Sequence, residues 1–172
     1  MAGVTINIRD IKDYIGREIG TSKWVEITQS RVTKFAEATG DFQWVHVDAE
    51  QARTELATGR TIVHNYLLLS LMPKFFDQVV TFTGLEYGLN RGAENIRFLK
   101  PLPTGSKVRI RLKLSGLQEA PNGGWLANFH ILMESEDGPI LKMALVLLLV
   151  AAEKTNVHPI SPDQHQSAAI GL

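Results

Sequence analysis

The feature that most restricts the fold is an apolar run in the middle of the chain, TIVHNYLLLSLMPKFFDQV at residues 61–79. From Tyr66 to Phe76 the residues are apolar on nearly every side of a helix, and such a helix is expected to be buried all round. Pro73 is expected to kink this helix or to end its first part, because proline lacks the N–H group that a helix interior needs. The rest of the chain must therefore supply a layer that covers a buried central helix.

Three strand-like segments in the second half of the chain can form that layer. SKVRIRLKL at residues 106–114 alternates strictly, with apolar residues on one side, which is typical of a half-buried strand. The turn signals PNGG, at residues 121–124, and DGP, at residues 137–139, precede the strand-like segments WLANFHILMES and ILKMALVLLLV. The position of the last segment favours a central strand. We therefore predict an α+β fold, with an antiparallel sheet wrapped around the buried central helix.

The segment GDFQWVHVD, residues 40–48, sets an acid and a histidine among large apolar side chains. Before it, SRVTKFAEATG predicts a short helix with Ser30 as its N-cap and Gly40 just after its end. After it, DAEQ predicts a second helix that is capped by Asp48. Residues 41–47 then form a short connection between two helices, and catalytic groups are often held on such connections by a rigid scaffold.

Length and composition limit the function classes. The 172 residues predict one domain over residues 1–156, followed by a polar tail at 157–172 that is equally consistent with a tether onto a partner subunit. The 18 basic and 18 acidic residues balance, which argues against a dedicated nucleic-acid or membrane-surface binder. No cysteine is present, and no apolar stretch is long enough to cross a bilayer. We expect a soluble cytoplasmic protein with no nucleic-acid and no membrane partner.

Three segments, in order, resemble the MaoC-like dehydratases, a family that includes the (R)-specific enoyl-CoA hydratases and has the hot-dog fold. The hydratase motif runs Gly-Asp, any residue, Asn-Pro, an aliphatic residue, His, five residues, then Ala or Ser. Here it is Gly40-Asp41-Phe42-Gln43-Trp44-Val45-His46, with Ala52 after five more residues. A glutamine–tryptophan pair in place of Asn-Pro is similar to a subgroup related to nodulation protein N. TIVHNYLLLSL resembles the family's entry into the central helix, and YGLNRGAENIRFLKPLPTGSKVRIRLKL resembles its later core.

The resemblance implies reversible hydration of trans-2-enoyl thioesters, carried by coenzyme A or by an acyl carrier, to (R)-3-hydroxyacyl thioesters. Asp41 and His46 are the expected catalytic dyad around one water molecule, with His46 as the base and Asp41 as the acid. Apolar neighbours are expected to raise the pKa of the Asp41 carboxyl towards neutral pH. The backbone N–H of Asn65, where the family has glycine, is expected to stabilise the thioester oxygen. The reaction needs neither a metal nor a redox cofactor.

The remaining site predictions concern the substrate, the metals and the subunits. The residues expected to bind substrate are Gln43, Trp44, Tyr66, Asn90 and Arg97. His64 and Ser70 are interpreted as structural. No metal site is predicted, because no acid or histidine stands at metal-ligand spacing from the three remaining histidines, His130, His158 and His165.

The resemblance also implies a homodimer, with the two sheets joined edge to edge and a pocket lined from both subunits. Such pairing protects an exposed edge strand. Two rival functions stay open beside the hydratase. One is a non-catalytic module that binds acyl thioesters or acyl carriers, which Asn65 in place of glycine favours. The other is a hot-dog thioesterase, in which an acid activates water against the carbonyl carbon.

Overall fold

A computed structural model describes residues 3–120 and 124–152 of the chain. The helices are α1 (Gln29–Thr39), α2 (Trp44–Val47), α3 (Ala49–Glu55), α4 (Asn65–Ser70) and α5 (Met72–Val79), and a 3₁₀ helix spans Ile8–Tyr14. The strands are β1 (Val4–Asn7), β2 (Glu18–Thr21), β3 (Val25–Glu26), β4 (Val80–Thr83), β5 (Leu85–Phe98), β6 (Lys107–Ala120), β7 (Gly124–Ser135) and β8 (Gly138–Ala151). No helix in these two ranges is long and apolar enough to span a membrane. The predicted tail at 157–172 and three residues of the PNGG turn lie outside the described residues.

The fold is built on one antiparallel sheet. Its strand order is β2-β6-β7-β8-β5, and β3 also pairs with β6. The predicted strands β6, β7 and β8 are confirmed as neighbours, and β8 lies between two strands as expected for a central strand. The predicted alternation is also confirmed, because the apolar residues Val108, Ile110, Leu112 and Leu114 of β6 are fully buried. β1 and β4 form a separate parallel pair.

The central helix, formed by α4 and α5, packs against this sheet. Phe75 and the other buried residues of both helices belong to the same apolar cluster as the inward-facing residues of β6. The helix breaks at Leu71, and Pro73 lies in the first turn of α5, so the predicted interruption is confirmed. The prediction of burial on all sides is wrong, because Tyr66 is 72% exposed and Ser70 is exposed as well. The sheet covers one side of the helix, and a single chain leaves a stripe on the other side open.

The helix before the candidate motif begins earlier than predicted. Thr28, rather than Ser30, is the N-cap of α1, and its hydroxyl accepts a hydrogen bond from the Arg31 N–H at 3.4 Å. Ser30 already lies inside the first turn. The predicted stop is confirmed, because Gly40 has a φ of 77°, in the left-handed region that glycine adopts without a steric cost. The chain therefore turns sharply just before Asp41.

The segment between the two predicted helices is more regular than expected. Residues 41–47 do not form a plain connection, because α2 makes one helical turn from Trp44 to Val47. The predicted cap of the next helix is confirmed: the Asp48 carboxylate accepts a hydrogen bond from the Gln51 N–H at 2.9 Å. The reciprocal half of the capping box is missing, since the Gln51 side chain donates to Glu55 instead.

Candidate active site

A cavity of about 400 Å³ lies beside the start of α4. It brings together four parts of the chain: the end of α1, the loop and single turn that follow it, the entry into the central helix, and the segment after β5. Its lining residues are Phe35, Asp41, His46, Ile62, Val63, His64, Asn65, Tyr66, Phe98, Leu99, Lys100 and Pro101. The cavity therefore contains the two residues of the predicted dyad and a second histidine.

His46 is held rigidly within the single turn α2. Its side chain is buried, and Nδ1 lies 2.7 Å from the Ile62 carbonyl oxygen. Because a carbonyl oxygen only accepts hydrogen bonds, Nδ1 carries the hydrogen, and in neutral imidazole Nε2 then keeps a lone pair. The Gln29 side chain donates to the His46 carbonyl at 2.8 Å, which fixes the backbone as well. This tautomer leaves Nε2 free to act as a base.

Asp41 occupies the loop after Gly40 and is only partly covered. Its Oδ1 accepts hydrogen bonds from the Gln43 side chain at 3.1 Å and from the Gln43 backbone N–H at 3.5 Å. Desolvation raises the pKa of Asp41, but the two hydrogen bonds from Gln43 and the positive charges that His46 and His64 can carry lower it. The net effect holds the pKa of Asp41 below its ordinary value of 3.8. The expected upward shift is therefore wrong, and Asp41 is a carboxylate at neutral pH.

His64 belongs to the site, although its sequence position suggested a structural residue. It is 3% exposed, and its ring stacks on the His46 ring with centroids 3.8 Å apart and planes 27° apart. Its Nε2 lies 3.1 Å from the Asp41 backbone oxygen and 3.8 Å from the Asp41 carboxylate. The signal that could have found it is its place directly before Asn65, at the entry to the central helix.

The three titratable side chains form one compact cluster. One ligand-type atom from each of Asp41, His46 and His64 lies within 4.8 Å of the others. This spacing suits a shared water molecule, since a water makes hydrogen bonds of about 2.8 Å to each of two partners. The same three groups are also ligand types for a metal ion, because each imidazole keeps one nitrogen that does not bond a backbone carbonyl oxygen. That no metal site is present stays a prediction.

The predicted substrate residues are distributed unevenly around this cavity. Tyr66 lines it, and Gln43 touches it through Asp41. Trp44 and Arg97 are absent from the lining, and the Arg97 guanidinium donates to the Ile96 carbonyl oxygen at 2.9 Å. The segment 98–101 at the end of β5, which contains none of the predicted substrate residues, also lines this cavity.

Asn90 lies in a second, larger cavity of about 730 Å³. This cavity runs along the open side of the central helix, between that helix and strands β5 and β8. Most of its lining is aliphatic or aromatic. The lining residues are Leu69, Ser70, Met72, Pro73, Phe76, Asp77, Val80, Thr81, Phe82, Leu85, Gly88, Asn90, Ala93, Met143, Leu145, Leu147 and Leu149.

Asn65 is the first residue of α4 and is exposed at the cavity. Its backbone N–H belongs to the first turn of the helix, where N–H groups have no intrahelical acceptor. Among the backbone hydrogen bonds of the described residues, none uses this N–H as a donor. The residue with this unbonded amide thus lines the same cavity as Asp41 and His46.

Comparison with known proteins places the chain in a family. Residues 10–123 match the profile of the MaoC like domain. The chain belongs to the MaoC-like dehydratase family. This confirms the predicted family, and it confirms that a motif with Gln43-Trp44 in place of Asn-Pro still belongs to it.

Two curated relatives of this MaoC-like chain support the assignment. It is 38% identical over 130 residues to 3-hydroxyacyl-thioester dehydratase Z of Mycobacterium tuberculosis, covering 76% of this chain and 85% of that protein. It is 36% identical over 146 residues to Nodulation protein N of Rhizobium meliloti, covering 79% and 86%. Similarity to the second relative agrees with the predicted subgroup.

Solved structures support the predicted hot-dog fold. An R-hydratase from Pseudomonas aeruginosa superposes with a TM-score of 0.64 at 20% identity, covering 86% of this chain and 91% of that one. An (R)-hydratase from A. caviae gives a TM-score of 0.61 at 22% identity, covering 77% and 96%. At these identities the likeness establishes the fold alone.

The hydrogen bonds from Gln43 are testable as the cause of the low pKa of Asp41. In a Gln43→Leu variant we expect the pKa of Asp41 to rise, because the ionised carboxylate loses its side-chain donor. The measurement is a pH titration of the Asp41 carboxyl carbon by NMR. Gln51→Leu is the matched control, since Gln51 bonds Glu55 on α3 and should leave the titration unchanged. An unchanged or lowered pKa in Gln43→Leu would contradict this explanation.

Proposed function

We propose that this chain catalyses the reversible hydration of trans-2-enoyl thioesters to (R)-3-hydroxyacyl thioesters. The observation that carries the proposal is the cluster of Asp41 and His46 in one cavity, where one ligand-type atom of each residue lies within 4.8 Å of the other. The name of the Mycobacterium tuberculosis relative, a 3-hydroxyacyl-thioester dehydratase, supports the same reaction class. Asp41 and His46 are the proposed catalytic residues.

The chemistry requires a water molecule that is activated at C3 of the substrate and a proton that reaches C2. His46 Nε2 accepts one proton of the water, and the Asp41 carboxylate accepts a hydrogen bond from the other. The water oxygen bonds to C3 while the C2–C3 double bond breaks and its electron pair moves towards the thioester oxygen. The His46 imidazolium then returns a proton to C2, which leaves both residues in their starting states.

These steps assign different roles to Asp41 and His46 from those that the motif suggested. Asp41 was expected to be the acid, but its lowered pKa leaves it without a proton to donate at neutral pH. We therefore assign both proton transfers to His46. Asp41 orients the water and stabilises the imidazolium, which is the usual task of a carboxylate beside a catalytic histidine.

The negative charge that develops on the thioester oxygen needs a hydrogen-bond donor. We propose the backbone N–H of Asn65 for this task, because Asn65 is the first residue of α4 and lines the cavity. An amide donor of this kind contributes about 2.7–4 kcal/mol to transition-state stabilisation in other enzymes. This chain has Asn65 where the family has glycine, so the asparagine side chain lies next to the proposed N–H donor.

The remaining substrate contacts follow from the two cavities. The reacting thioester occupies the smaller cavity beside Tyr66, and the acyl chain extends into the larger apolar cavity past Asn90. Gln43 acts through Asp41. Trp44 and Arg97, which line neither cavity, are proposed contacts for the coenzyme A or carrier portion outside them. No cofactor takes part in this proposal.

We propose a homodimer as the working form. Strand β5 lies at the end of the sheet order, so one of its edges has no strand partner among the described residues. Tyr87 and Leu89 on this strand are 45% and 48% exposed, which leaves apolar side chains beside an open edge. Pairing of β5 with a second copy would cover both features, because it satisfies the free backbone groups and buries the apolar side chains.

The reaction is tested by incubating the protein with crotonyl-CoA while following the conjugated absorbance and free thiol together. We expect the absorbance to fall without thiol release. Asp41→Asn and His46→Gln should each lower the rate by about 100- to 10,000-fold, because each removes a partner of the attacking water. His130→Gln is the control, since His130 is exposed on β7 and lines neither of the two cavities of the proposal.

The same assay separates the rival functions. Thiol release would indicate a thioesterase. Binding of the thioester with neither change would indicate a non-catalytic module, the alternative that Asn65 in place of glycine favours. Either result, or parent activity in Asp41→Asn, would overturn the proposed hydratase.

The effect of asparagine in place of the family's glycine at position 65 can be tested separately. In an Asn65→Gly variant we expect the hydration rate to hold or rise, because the proposed donor is the backbone N–H and glycine keeps it without a side chain that crowds the thioester. The measurement is kcat/KM with crotonyl-CoA against the parent protein. A large fall in this variant would show that the Asn65 side chain has a task of its own.

A further inference from the structure

His64 takes no part in the proposed chemistry, yet it is more buried than either proposed catalytic residue. It is 3% exposed, compared with 9% for His46, while the Asp41 side chain is 39% exposed. Phe35 covers it on one side, with ring centroids 5.1 Å apart. A polar ring buried this deeply needs a reason, because burying a polar group costs free energy unless its hydrogen bonds are made.

The hydrogen bonds of His64 fix its tautomer. Nε2 lies 3.1 Å from the Asp41 backbone oxygen, which only accepts, so Nε2 carries the hydrogen. Nδ1 is buried and has no hydrogen-bond partner among the described residues. A hydrogen on Nδ1 would be a buried donor without an acceptor, which costs more than an unused lone pair. In its neutral state the ring is therefore the Nε2–H tautomer.

This one ring touches both members of the catalytic pair. Its N–H bonds the backbone of Asp41, in the loop that turns sharply after Gly40. Its face lies 3.8 Å from the ring of His46. His64 thus contacts both the loop that contains Asp41 and the helical turn that contains His46.

We infer that His64 is a positioning residue, which sets the distance between Asp41 and His46 through the hydrogen bond from its Nε2–H to the Asp41 carbonyl oxygen. This inference rests on the proposed hydratase function and adds a third residue to its site. A displacement of about 1 Å in such a pair costs on the order of 100-fold in rate. His64 touches no reacting atom in this account, so its loss should lower kcat more than it changes KM.

The test compares His64→Gln with His64→Asn in the full chain. Both substitutions remove the stacked ring and introduce the same amide group. The longer glutamine side chain can place its N–H where His64 Nε2 stands, and the shorter asparagine side chain cannot. We expect His64→Gln to retain most of the parent kcat for crotonyl-CoA and His64→Asn to lose on the order of 100-fold. Thermal unfolding of both variants shows whether the fold is preserved equally.

A higher kcat in His64→Gln than in His64→Asn, at equal unfolding temperatures, supports a positioning role. A purely structural residue would not give this difference in kcat. Parent kcat in His64→Asn, or an equal loss in both variants, would overturn it. If His64→Asn does not fold, the ¹⁵N chemical shifts of the His64 imidazole in the parent protein test the inference instead. The Nε2–H tautomer would support it, and the Nδ1–H tautomer would contradict it. A parent protein that hydrates no enoyl thioester would instead refute the proposed function, and the tautomer measurement would stand apart from that result.

Discussion

The packing of the central helix on the antiparallel sheet determines where every part of the site lies. The segment that enters this helix is bonded on both sides, since the Ile62 N–H donates to the Val45 carbonyl and the Val63 N–H to the Leu102 carbonyl. The same segment receives the hydrogen bond from His46 Nδ1. Residues 61–66 therefore cannot move without displacing α2 and the chain after β5. The two histidines stack because this stretch holds them against each other.

Within that frame, the two proposed catalytic side chains have opposite environments. His46 is buried and bonded to a carbonyl oxygen, so its free nitrogen can accept a proton and the resulting cation has a nearby acceptor. Asp41 is partly open to solvent and bonded by Gln43, which keeps the pKa of its carboxyl low. A single proton carrier and a permanent carboxylate are enough for addition of one water molecule. The account therefore needs no acid other than the imidazolium that the first step creates.

The sequence predicted the strands well because their physical signals are local. Alternation in β6 and the turn signals that follow it depend on residues a few positions apart, and those elements were confirmed. The prediction that the central helix is buried on all sides was wrong, since Tyr66 is exposed. Burial of Tyr66 depends on whether residues distant in the sequence cover it, and the apolar pattern of the helix itself does not contain that information. The predicted upward shift of the Asp41 pKa was also wrong. The sequence motif shows the apolar neighbours of Asp41, but it does not show the hydrogen bonds from Gln43 that lower this pKa. His64 was missed because its two contacts, Asp41 and His46, are 23 and 18 positions away.

The central claim is that one water molecule, held between Asp41 and His46, supplies both atoms that add to the double bond. In this mechanism both groups add to the same face of the double bond, because His46 takes a proton from the water molecule and returns it from the same side. The most direct measurement is hydration of crotonyl-CoA in D₂O, followed by NMR assignment of the relative configuration of the C2 deuterium and the C3 hydroxyl. We expect syn addition. Anti addition would require a proton donor on the opposite face, and would contradict the assignment of both proton transfers to His46.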